Sequence, residues 1–338
     1  MWPPCSGRSR PLRKVNRMRY DPRMLSALKN ADNFMLCAHI NPDGDAIGSM
    51  LAACRLLRKM GKQAIPVVAA PVPPQLTWLP DVDRLVPVEE AAKLHFDAAL
   101  CVDACETKRM GPAYEVYRLA EQRFVIDHHP GVVDFAPYSL VDPAAAAVGE
   151  LIVDLWEEMG EKLDREAAAQ LYAAISTDTG NFRFSNVTAR TFACMERLME
   201  TGLDVSEPAR RLFLTQSRAA VAAQTRALAS LKYFADGRAT CMHLSLADKQ
   251  AAQAQDGDLH GMVNQGLYID GVEMTFMADE TADGWKISLR ALPGRDVSAI
   301  AQRFGGGGHK LAAGCGLNGS YEQVEAQLMV AVEEALRA

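Results

Sequence analysis

The segment 39–49 places the strongest constraint on the fold of this chain. It begins at His39, directly after the apolar run 34–38, and it leads into residues 47–60, whose apolar side chains recur at helical spacing. A buried strand that passes through a short loop into a helix is the repeating unit of a parallel α/β sheet, and such sheets place their sites at the carboxyl ends of the strands. The pattern therefore predicts an α/β fold with a site in this loop.

The same loop contains side chains that bind metals. His39, Asp43 and Asp45 follow a His-x-x-x-Asp-x-Asp spacing, and residues two apart in extended backbone share a face. An imidazole with two carboxylates is a donor set that suits a hard divalent cation. The alternative is a turn in which Pro42 and Gly44 set the geometry and the aspartates cap the helix. The motif alone leaves both interpretations open.

Length and composition describe an ordinary globular enzyme with two domains. The chain has 338 residues, is 49% hydrophobic and 23% charged, and has a net charge of -6, so no long basic surface is expected. No apolar run approaches the roughly 20 residues that span a bilayer, and no apolar segment of the signal-peptide type follows the basic N-terminus. We therefore expect a cytoplasmic protein with no membrane partner. The eight cysteines include no Cys-x-x-Cys pair, which argues against a zinc knuckle or a thioredoxin-like dithiol.

Residues 1–19 differ in composition from the rest of the chain. They contain six Lys and Arg residues, three prolines and no acidic residue, a composition that predicts a disordered basic extension. One interpretation is a nucleic-acid tether or a targeting arm. We favour the other, a dispensable extension with Met18 as an alternative initiator.

The pattern from residue 20 to 200 predicts a larger N-terminal domain with a mainly parallel sheet flanked by helices. A stretch rich in Ala, Arg, Leu and Gln, residues 201–235, then predicts a helical linker. Residues 236–338 follow as a smaller C-terminal α/β domain. The predicted strands are 34–39, 63–69, 97–103 and 122–127 in the first domain and 239–246, 271–278 and 285–291 in the second, which also has predicted helices at 296–304 and 321–336.

Three later element ends repeat the chemistry of the first loop. Asp103 ends one apolar strand, Asp127-His128-His129 ends the next, and Asp178 follows a helical stretch. Each of these alone is explained as a cap or a turn residue. Because they fall at one edge of the predicted sheet, we expect them to converge on a single site.

Convergence of these side chains has an electrostatic consequence. Asp43, Asp45, Asp103 and Asp178 would bring four negative charges together, which requires cations or protonation. Four carboxylates and two imidazoles suit two Mn²⁺ or Mg²⁺ ions better than a structural Zn²⁺. A pair of such ions activates water for displacement at phosphorus, so phosphoester hydrolysis is the first reaction class to consider.

The C-terminal domain contains a second motif. Gly305, Gly306, Gly307 and Gly308 precede His309, and four consecutive glycines are expected where the backbone approaches a ligand closely. Their N–H groups beside His309 would form an anion cradle. A flexible hairpin turn is the alternative. In a nearby strand, Arg290 is placed to clamp a phosphate, although an arginine at a strand end is often simply exposed to solvent.

Taken in order, these motifs resemble those of the DHH phosphoesterases over about residues 21–337. Within that family, a two-domain chain of this length is most similar to the bacterial oligoribonuclease and phosphoadenosine phosphate phosphatase group. The segments that carry the resemblance are 39–49, Asp103, 127–129 and 178–180 for the four motifs, and 304–314 for the DHH-associated C-terminal domain.

The resemblance implies an activity and an assembly. We expect removal of nucleotides from very short RNA and of the 3'-phosphate from phosphoadenosine phosphate, with two divalent cations, for which Mn²⁺ is the first choice and Mg²⁺ the alternative. We also expect an active-site cleft between the domains, and a homodimer. The metal ligands that the resemblance implies are His39 and Asp43 for one ion, Asp45, His128 and Asp178 for the other, and Asp103 as a bridge between them.

The resemblance assigns roles to other residues as well. Asp127 is expected to orient His128, and His129 to face the scissile phosphate as a catalytic residue together with Asp127 and Asp103. The expected substrate-binding residues are Arg290, Gly305, Gly306, Gly307, Gly308 and His309.

Other functions compete with this one. Related activities are those of a cyclic or linear dinucleotide phosphodiesterase, a single-stranded-DNA exonuclease and a family II pyrophosphatase. A hypothesis from a different functional class is that the protein is a non-catalytic nucleotide sensor. Loss of a metal ligand would indicate a sensor, and every ligand position of the motifs is intact.

Overall fold

The computed structural model describes residues 19–259 and 261–337, and the chain forms two compact units that divide between Thr215 and Gln216. No helix among these residues is long and apolar enough to cross a membrane. The predicted basic extension lies outside the described residues except for Arg19. The Arg19 Nε lies 3.2 Å from a carboxylate oxygen of Asp154.

The first unit is built on a six-stranded sheet in which every neighbouring pair is parallel, as predicted. The strand order is β3-β2-β1-β4-β5-β6, so the order reverses at β1, between β2 and β4. Loops that leave two such strands in opposite directions open a crevice at their carboxyl ends. The strands are β1 (Asn33–Cys37), β2 (Gln63–Val68), β3 (Val86–Pro87), β4 (Ala98–Val102), β5 (Gln122–Asp127) and β6 (Tyr138–Val141).

Helices cover both faces of this sheet. Because side chains alternate along a strand, Phe34 and Leu36 of β1 enter one apolar core and Met35 and Cys37 enter the other. The helices are α1 (Pro22–Asn30), α2 (Gly44–Lys59), α3 (Val88–Ala91), α4 (Thr107–Met110), α5 (Ala113–Tyr117), α6 (Val148–Glu158), α7 (Arg165–Asp178), α8 (Ala189–Met199) and α9 (Ser206–Ala209).

Close packing of α2 against α7 positions two parts of the site. A Cβ on Gly48 would lie 2.3 Å from the carbonyl oxygen of Gln170, so only glycine allows the helices to approach this closely. At the first residue of α2, a Cβ on Gly44 would lie 2.5 Å from Thr177 Cγ2. The N-terminal end of α2 and the C-terminal end of α7 are therefore held side by side.

The second unit contains a mixed six-stranded sheet with the order β11-β12-β10-β9-β8-β7. Only the β8–β9 pair of this sheet is parallel, and its other neighbouring strands are antiparallel. The elements are α10 (Arg218–Ala229), β7 (Lys232–Phe234), β8 (Ala239–Leu244), α11 (Leu246–Ala252), a 3-10 segment (Met262–Tyr268), β9 (Met274–Thr281), β10 (Gly284–Ala291), α12 (Ser298–Arg303), β11 (Gly307–His309), β12 (Ala312–Leu317) and α13 (Tyr321–Arg337).

The two faces of this second sheet are covered to different extents. On one face, Phe276 and Leu289 pack in a core with Val324 and Leu328 of α13. On the other face, the apolar packing of the described residues of this unit lies over β8 and β9, where Met242 is part of a smaller core.

The segment predicted as a linker, residues 201–235, is divided between the two units. It contains α9, a π-helical segment (Arg210–Leu214), α10 and β7. Helix α10 buries Ala223 and Ala227 in the same core as Met242 of β8. Small alanine side chains give only a weak apolar pattern, which is why composition did not indicate this packing.

Candidate metal centre

The side chains at the centre of the site lie at the ends of three neighbouring strands. His39 follows β1, Asp103 follows β4 and His128 follows β5, so these residues lie at adjacent carboxyl ends of the sheet. Asp103 has a left-handed backbone with φ of 57°, which is uncommon for a residue other than glycine. Asp43 caps the start of α2, and Asp178 is the last residue of α7.

The first group of metal-type side chains consists of His39, Asp43 and Asp103. The Nε2 atom of His39 lies 3.1 Å from Asp103 Oδ2 and 3.9 Å from Asp43 Oδ1. One donor atom from each of the three residues falls within 4.8 Å of the others. This spacing allows one ion to be held by all three side chains.

The second group consists of Asp45, His128 and Asp178. The Nε2 atom of His128 lies 3.2 Å from Asp178 Oδ2 and 3.9 Å from Asp45 Oδ2. The same nitrogen lies 3.8 Å from Asp103 Oδ1, whereas the other oxygen of Asp103 faces His39. Asp103 therefore presents one oxygen to each group, which is the arrangement expected of a bridging carboxylate.

The polar atoms of this cluster fit divalent cations. Within the part of the chain that the structure describes, His39 Nε2, His128 Nε2 and Asp103 Oδ1 are buried and make no hydrogen bond. Burial, followed by the neighbouring carboxylates, raises the pKa of Asp43 and of Asp45. Buried donors without partners and carboxylates that resist ionisation are both satisfied by cations. Nitrogen and oxygen donors of this kind suit Mn²⁺ or Mg²⁺.

Asp45 is held by backbone far away in the sequence. Its Oδ2 accepts the N–H of Val148 at 2.7 Å, and its Oδ1 accepts the N–H of Gly149 and the Ser49 hydroxyl, both at 2.9 Å. These amides form the first turn of α6, where the helix dipole favours a negative charge. The sequence analysis missed this contact because nothing near Val148 marks it as a partner of a carboxylate about a hundred positions earlier.

Asp127 differs from its expected role. Its Oδ1 accepts the backbone N–H of His128 and lies 2.9 Å from Nδ1 of His129, whereas Nδ1 of His128 lies 3.2 Å from the carbonyl oxygen of Ala145. Asp127 therefore orients the ring of His129 and not, as the resemblance implied, that of His128. The physical reason is that the chain bends at His129, directly after β5, and Asp127 Oδ1 accepts the backbone N–H groups of both His128 and His129, which brings the ring of His129 against the carboxylate.

The charges around His129 favour its protonated form. The nearby carboxylates of Asp103 and then of Asp127 raise the pKa of His129 to about 10. Burial opposes ionisation of Asp103, but the facing imidazole rings of His129 and His39 outweigh it and lower the pKa of Asp103 to about 2. The side chain of His129 is 39% exposed, so a cationic ring faces solvent beside the two ligand groups.

The loop after Asp178 is a further part of the site that the sequence analysis missed. Asn181 and Phe182 both adopt left-handed backbone, with φ of 58° and 62°. The side-chain amide of Asn186 donates to the carbonyl oxygens of Asp178 and Ala146, each at 3.1 Å. Asn186 thus ties the end of α7 to the segment before α6, which fixes the backbone of Asp178. A single asparagine in a polar stretch gives no sequence signal of this role.

In the second unit, the structure brings Arg290 and His309 onto one row of the sheet. Arg290 of β10 pairs with Ala312 of β12, and Ala312 pairs with His309 of β11. Directly paired residues share a face, so the two side chains flank that of Ala312. Burial lowers the pKa of the half-buried Arg290. Among the described residues, the only hydrogen bond of its guanidinium group goes to the carbonyl oxygen of Leu289.

The glycine run proves to have a structural use at several positions. The N–H groups of Gly305 and Gly306 donate to carbonyl oxygens of α12 at 3.0 and 2.9 Å. A Cβ on Gly306 would lie 2.1 Å from the carbonyl oxygen of Gly314, and Gly308 has φ of 140°. Gly305 and Gly306 are therefore committed to the fold, and an anion cradle stays a prediction only for Gly307 and Gly308.

Comparison with known proteins agrees with this geometry. Residues 33–175 match the N-terminal domain of the DHH family, and residues 242–338 match the DHHA1 domain. The first unit thus defines a metal-type phosphoesterase site on a parallel sheet. The chain belongs to the DHH family of phosphoesterases, hydrolases that act on phosphoester bonds.

Relatives and solved structures match nearly the whole chain. The bifunctional oligoribonuclease and PAP phosphatase NrnA of Thermus thermophilus is 32% identical over 326 residues, which cover 95% of this chain and 94% of that protein. The cyclic-di-AMP phosphodiesterase PdeA of Listeria monocytogenes is 26% identical, and the match covers 97% of this chain but 52% of PdeA. An exopolyphosphatase-related protein from Bacteroides fragilis superposes with a TM-score of 0.87 at 25% identity, covering 97% and 100% of the two chains.

Proposed function

We propose that this protein hydrolyses very short RNA oligonucleotides and removes the 3'-phosphate of phosphoadenosine phosphate, with the help of two divalent cations. The observation that supports this most directly is the pair of ligand groups that share Asp103, whose two oxygens face His39 and His128 separately. The similarity to the Thermus thermophilus enzyme over almost the full length of both chains supports the choice of substrates.

Six residues would hold the cations. When bound, two such ions neutralise the carboxylates, polarise a phosphoryl oxygen and activate water at neutral pH. We propose Mn²⁺ as the ion, with Mg²⁺ as the alternative, because the donor set contains more oxygen than nitrogen and no thiolate. The six ligands are His39, Asp43, Asp45, Asp103, His128 and Asp178.

His129 would act on the phosphate itself. Its Nδ1 is engaged by Asp127 and Asp103, at 2.9 and 3.2 Å, so Nε2 is the nitrogen left to meet the substrate. A protonated ring at this position donates a hydrogen bond to a phosphate oxygen and stabilises the charge that develops during displacement. Asp127 fixes the tautomer and the direction of this ring, so it acts as a positioning residue.

The second unit would supply affinity for the substrate. Arg290 and His309 flank one position of the sheet, and both are cationic or polar groups that bind phosphate. We also propose a homodimer in the cytoplasm, as the family resemblance implies. Neither the assembly nor the location affects the chemistry proposed here.

One second function has a specific observation behind it. The chain aligns with the cyclic-di-AMP phosphodiesterase PdeA over 97% of its own length, so hydrolysis of a cyclic dinucleotide is the alternative. The match covers 52% of PdeA, which therefore contains further sequence that this chain does not match. A non-catalytic sensor is disfavoured because all six ligand positions are present and adjacent.

A side-by-side turnover assay tests the proposal. The full chain is stripped with a chelator, divided, and supplied with Mn²⁺, Mg²⁺ or no metal. Each sample then receives an RNA ladder of two to ten nucleotides, phosphoadenosine phosphate or cyclic di-AMP. We expect turnover of the shortest RNAs and of phosphoadenosine phosphate that depends on added metal and is highest with Mn²⁺.

The Asp103→Asn variant is the matched control, since it removes the shared ligand while preserving side-chain size. Its loss of turnover with every substrate would tie the activity to the centre described above. Preference for cyclic di-AMP over short RNA in the wild-type protein would favour the alternative. Binding of nucleotide without turnover under all three metal conditions would overturn the enzymatic assignment.

A further inference from the structure

Among the described residues of the second unit, no apolar core covers one half of a sheet face. Along β10, the side chains of Lys286, Ser288 and Arg290 share the face opposite to the core with α13, because the alternate residues Ile287 and Leu289 are buried in that core. We call this surface the β10 strip. It consists of Lys286, Ser288 and Arg290 of β10 and their partners Gly316, Gly314 and Ala312 of β12.

The β10 strip differs from the neighbouring part of the same face. Over β8 and β9, Met242 and Met277 are buried in a core with Ala223 of α10 and Val263 of the 3-10 segment. That core does not extend over the β10 strip. A cavity of about 660 Å³ lies over part of the strip instead. Lys286, Ser288, Gly314 and Gly316 are among the residues that line it, whereas Arg290 and Ala312 lie beyond its edge.

Gly316 is not explained by the fold. A Cβ at this position would meet no atom within 4 Å, and its backbone is not left-handed. A Cβ on Gly314, in contrast, would lie 2.8 Å from the carbonyl oxygen of Ile287, so packing explains that glycine. A glycine that neither the backbone nor the packing requires keeps space open above the strand, directly opposite Lys286.

The charges on the strip favour an anionic occupant. Neither Lys286 nor Arg290 forms an ion pair among the residues that the structure describes. The acidic neighbour of Lys286 on β9, Asp279, is neutralised by Lys249, whose Nζ lies 2.7 Å from its carboxylate. Asp283 lines the far end of the cavity, so the basic surface ends near Lys286.

From this geometry we propose that the β10 strip binds the phosphodiester backbone of the RNA that continues beyond the nucleotide held at Arg290. The inference rests on the proposed function and names how that substrate extends. Alternate residues of a strand are about 6.8 Å apart, comparable to the step between phosphates in an extended single strand. Arg290, the Ser288 hydroxyl and Lys286 thus offer successive donors in register with successive phosphates.

The register predicts where substrate length matters. Lys286 lies two alternations from Arg290, so only RNA with two further phosphates beyond the one at Arg290 reaches it. Phosphoadenosine phosphate and dinucleotides end before that point. Since backbone phosphates carry no sequence information, the contribution of Lys286 is the same for every base.

Two variants test the proposal by different means. Lys286→Ala removes the charge, and Gly316→Leu fills the open space without changing any charge. Arg337→Ala is the matched control, because it removes an exposed cation from the end of α13. Affinity is measured by fluorescence anisotropy with labelled pentaadenylate and pentauridylate, and by competition with a dinucleotide and phosphoadenosine phosphate, on the full chain with chelator present to prevent hydrolysis.

We expect both strip variants to weaken pentanucleotide binding by roughly three- to tenfold, equally for the two sequences, with the dinucleotide unaffected. Lys286→Ala should also reduce the slope of log affinity against log salt by about 0.7, the value for one phosphate contact on a single strand. Gly316→Leu should reduce that slope by a similar amount, because the leucine side chain would keep the phosphate from reaching Lys286. Circular dichroism and thermal melting confirm that each variant is folded.

Equal losses for dinucleotide and pentanucleotide, or no loss with either variant, would overturn the proposal. A change of oligomeric state in Gly316→Leu without a change in RNA affinity would do so as well, by indicating that a second copy of the chain covers the strip. Because the readout is binding, it stays informative even if the turnover assay shows that the enzyme prefers a cyclic dinucleotide. Failure of the proposed function and failure of this inference are therefore separable.

Discussion

The Oδ1 atom of Asp127 lies 2.9 Å from Nδ1 of His129 and also accepts the backbone N–H of the same histidine at 2.9 Å. Asp127 is fully buried at the end of β5, whereas His129 is partly exposed. A buried carboxylate that contacts both the backbone N–H and the ring of one residue fixes the orientation of that ring. The cationic His129 is therefore presented by the sheet and does not depend on the mobility of a loop.

Asp127→Asn should lower kcat by roughly 10- to 100-fold with a smaller change in KM, the usual cost of losing a group that orients an active-site histidine. The uncharged amide stabilises the protonated ring less, so the pKa of His129 falls from about 10. The alkaline limb of the kcat profile should move to lower pH by the same cause. Steady-state kinetics between pH 6 and 10 provide the measurement.

The number of bound cations shows whether Asp127 acts through His129 or through the metal ligand His128. If Asp127 acts through His129, Asp127→Asn retains the metal content of the wild-type protein, measured by elemental analysis. Loss of metal along with activity would instead indicate that Asp127 orients His128, contrary to the hydrogen bonds of the two histidine rings.

Asp103→Asn should reduce turnover at least about a thousand-fold, equivalent to about 4 kcal/mol of transition-state stabilisation. The reason is that Asp103 presents an oxygen to each ligand group, so neutralising it weakens both. Cation binding should weaken in parallel, which thermal melting detects as a smaller rise in Tm on adding Mn²⁺. In the wild-type protein, cation at a hundred times its Kd should add about 2.7 kcal/mol to the free energy of unfolding.

Asp154→Asn is the control for that loss. Asp154 is an aspartate of the first unit that is half-buried, whereas Asp103 is buried, and its carboxylate is paired with Arg190 at 2.8 Å and belongs to neither ligand group. We expect it to alter stability and to leave the response of Tm to Mn²⁺ intact. Comparable loss of the Mn²⁺ response in both variants would refute the assignment of Asp103.

Gly48→Ala should destabilise the first unit by about 1 to 3 kcal/mol, the usual cost of forcing an atom into a packed interior. Its Cβ would lie 2.3 Å from the backbone oxygen of Gln170, so α2 and α7 must separate. Because these helices carry Asp45 and Asp178, turnover should fall as well. Urea denaturation and kinetics report the two effects, and Gly257→Ala, at a position with nothing within 4 Å of a Cβ, should change neither.

Much of the first unit could be predicted from the sequence, and the reason is local. Strands β1, β4 and β5 each carry an apolar run (34–38, 98–102 and 124–126) that a metal-type side chain follows directly, and parallel strands place those ends at one edge. The short edge strand β6 (Tyr138–Val141) was missed because half-buried edge residues give no such run. Likewise, β11 and β12 are rich in glycine and alanine, so the pattern predicts no strands here and allows a hairpin turn only as the alternative to an anion cradle.

The contacts that shape the site were less accessible to sequence reasoning. Asp45 depends on the amides of Val148 and Gly149, and the backbone of Asp178 depends on Asn186. In each case the partner is a backbone group or an ordinary polar side chain whose identity carries no signal. Only the packing of α6 and α7 against α2 brings these groups together, and that packing is a property of the folded chain.

His243 of β8 should make the second unit less stable in acid. Its ring lies 3.9 Å from that of Tyr321, and its Nδ1 is buried without a hydrogen bond among the described residues. Burial lowers the pKa of His243 below its ordinary 6.5, although the nearby Asp248 and Glu325 oppose this shift. His243 is therefore protonated at a higher pH in the unfolded chain than in the folded chain. As a result, the free energy of unfolding decreases as the pH drops through about 6.5.

Hydrogen exchange of the peptide 239–244, corrected for the intrinsic rate at each pH, measures this effect within the second unit. We expect protection to decline between pH 7 and 5.5 with a contribution from His243 of no more than about 1.4 kcal/mol per pH unit, the limit for one proton. His243→Phe keeps the ring against Tyr321 and should flatten the decline. His95→Phe, at an exposed position of the first unit, should leave it unchanged. A decline of equal slope in both variants would mean that carboxylates, and not His243, set the acid stability of this unit.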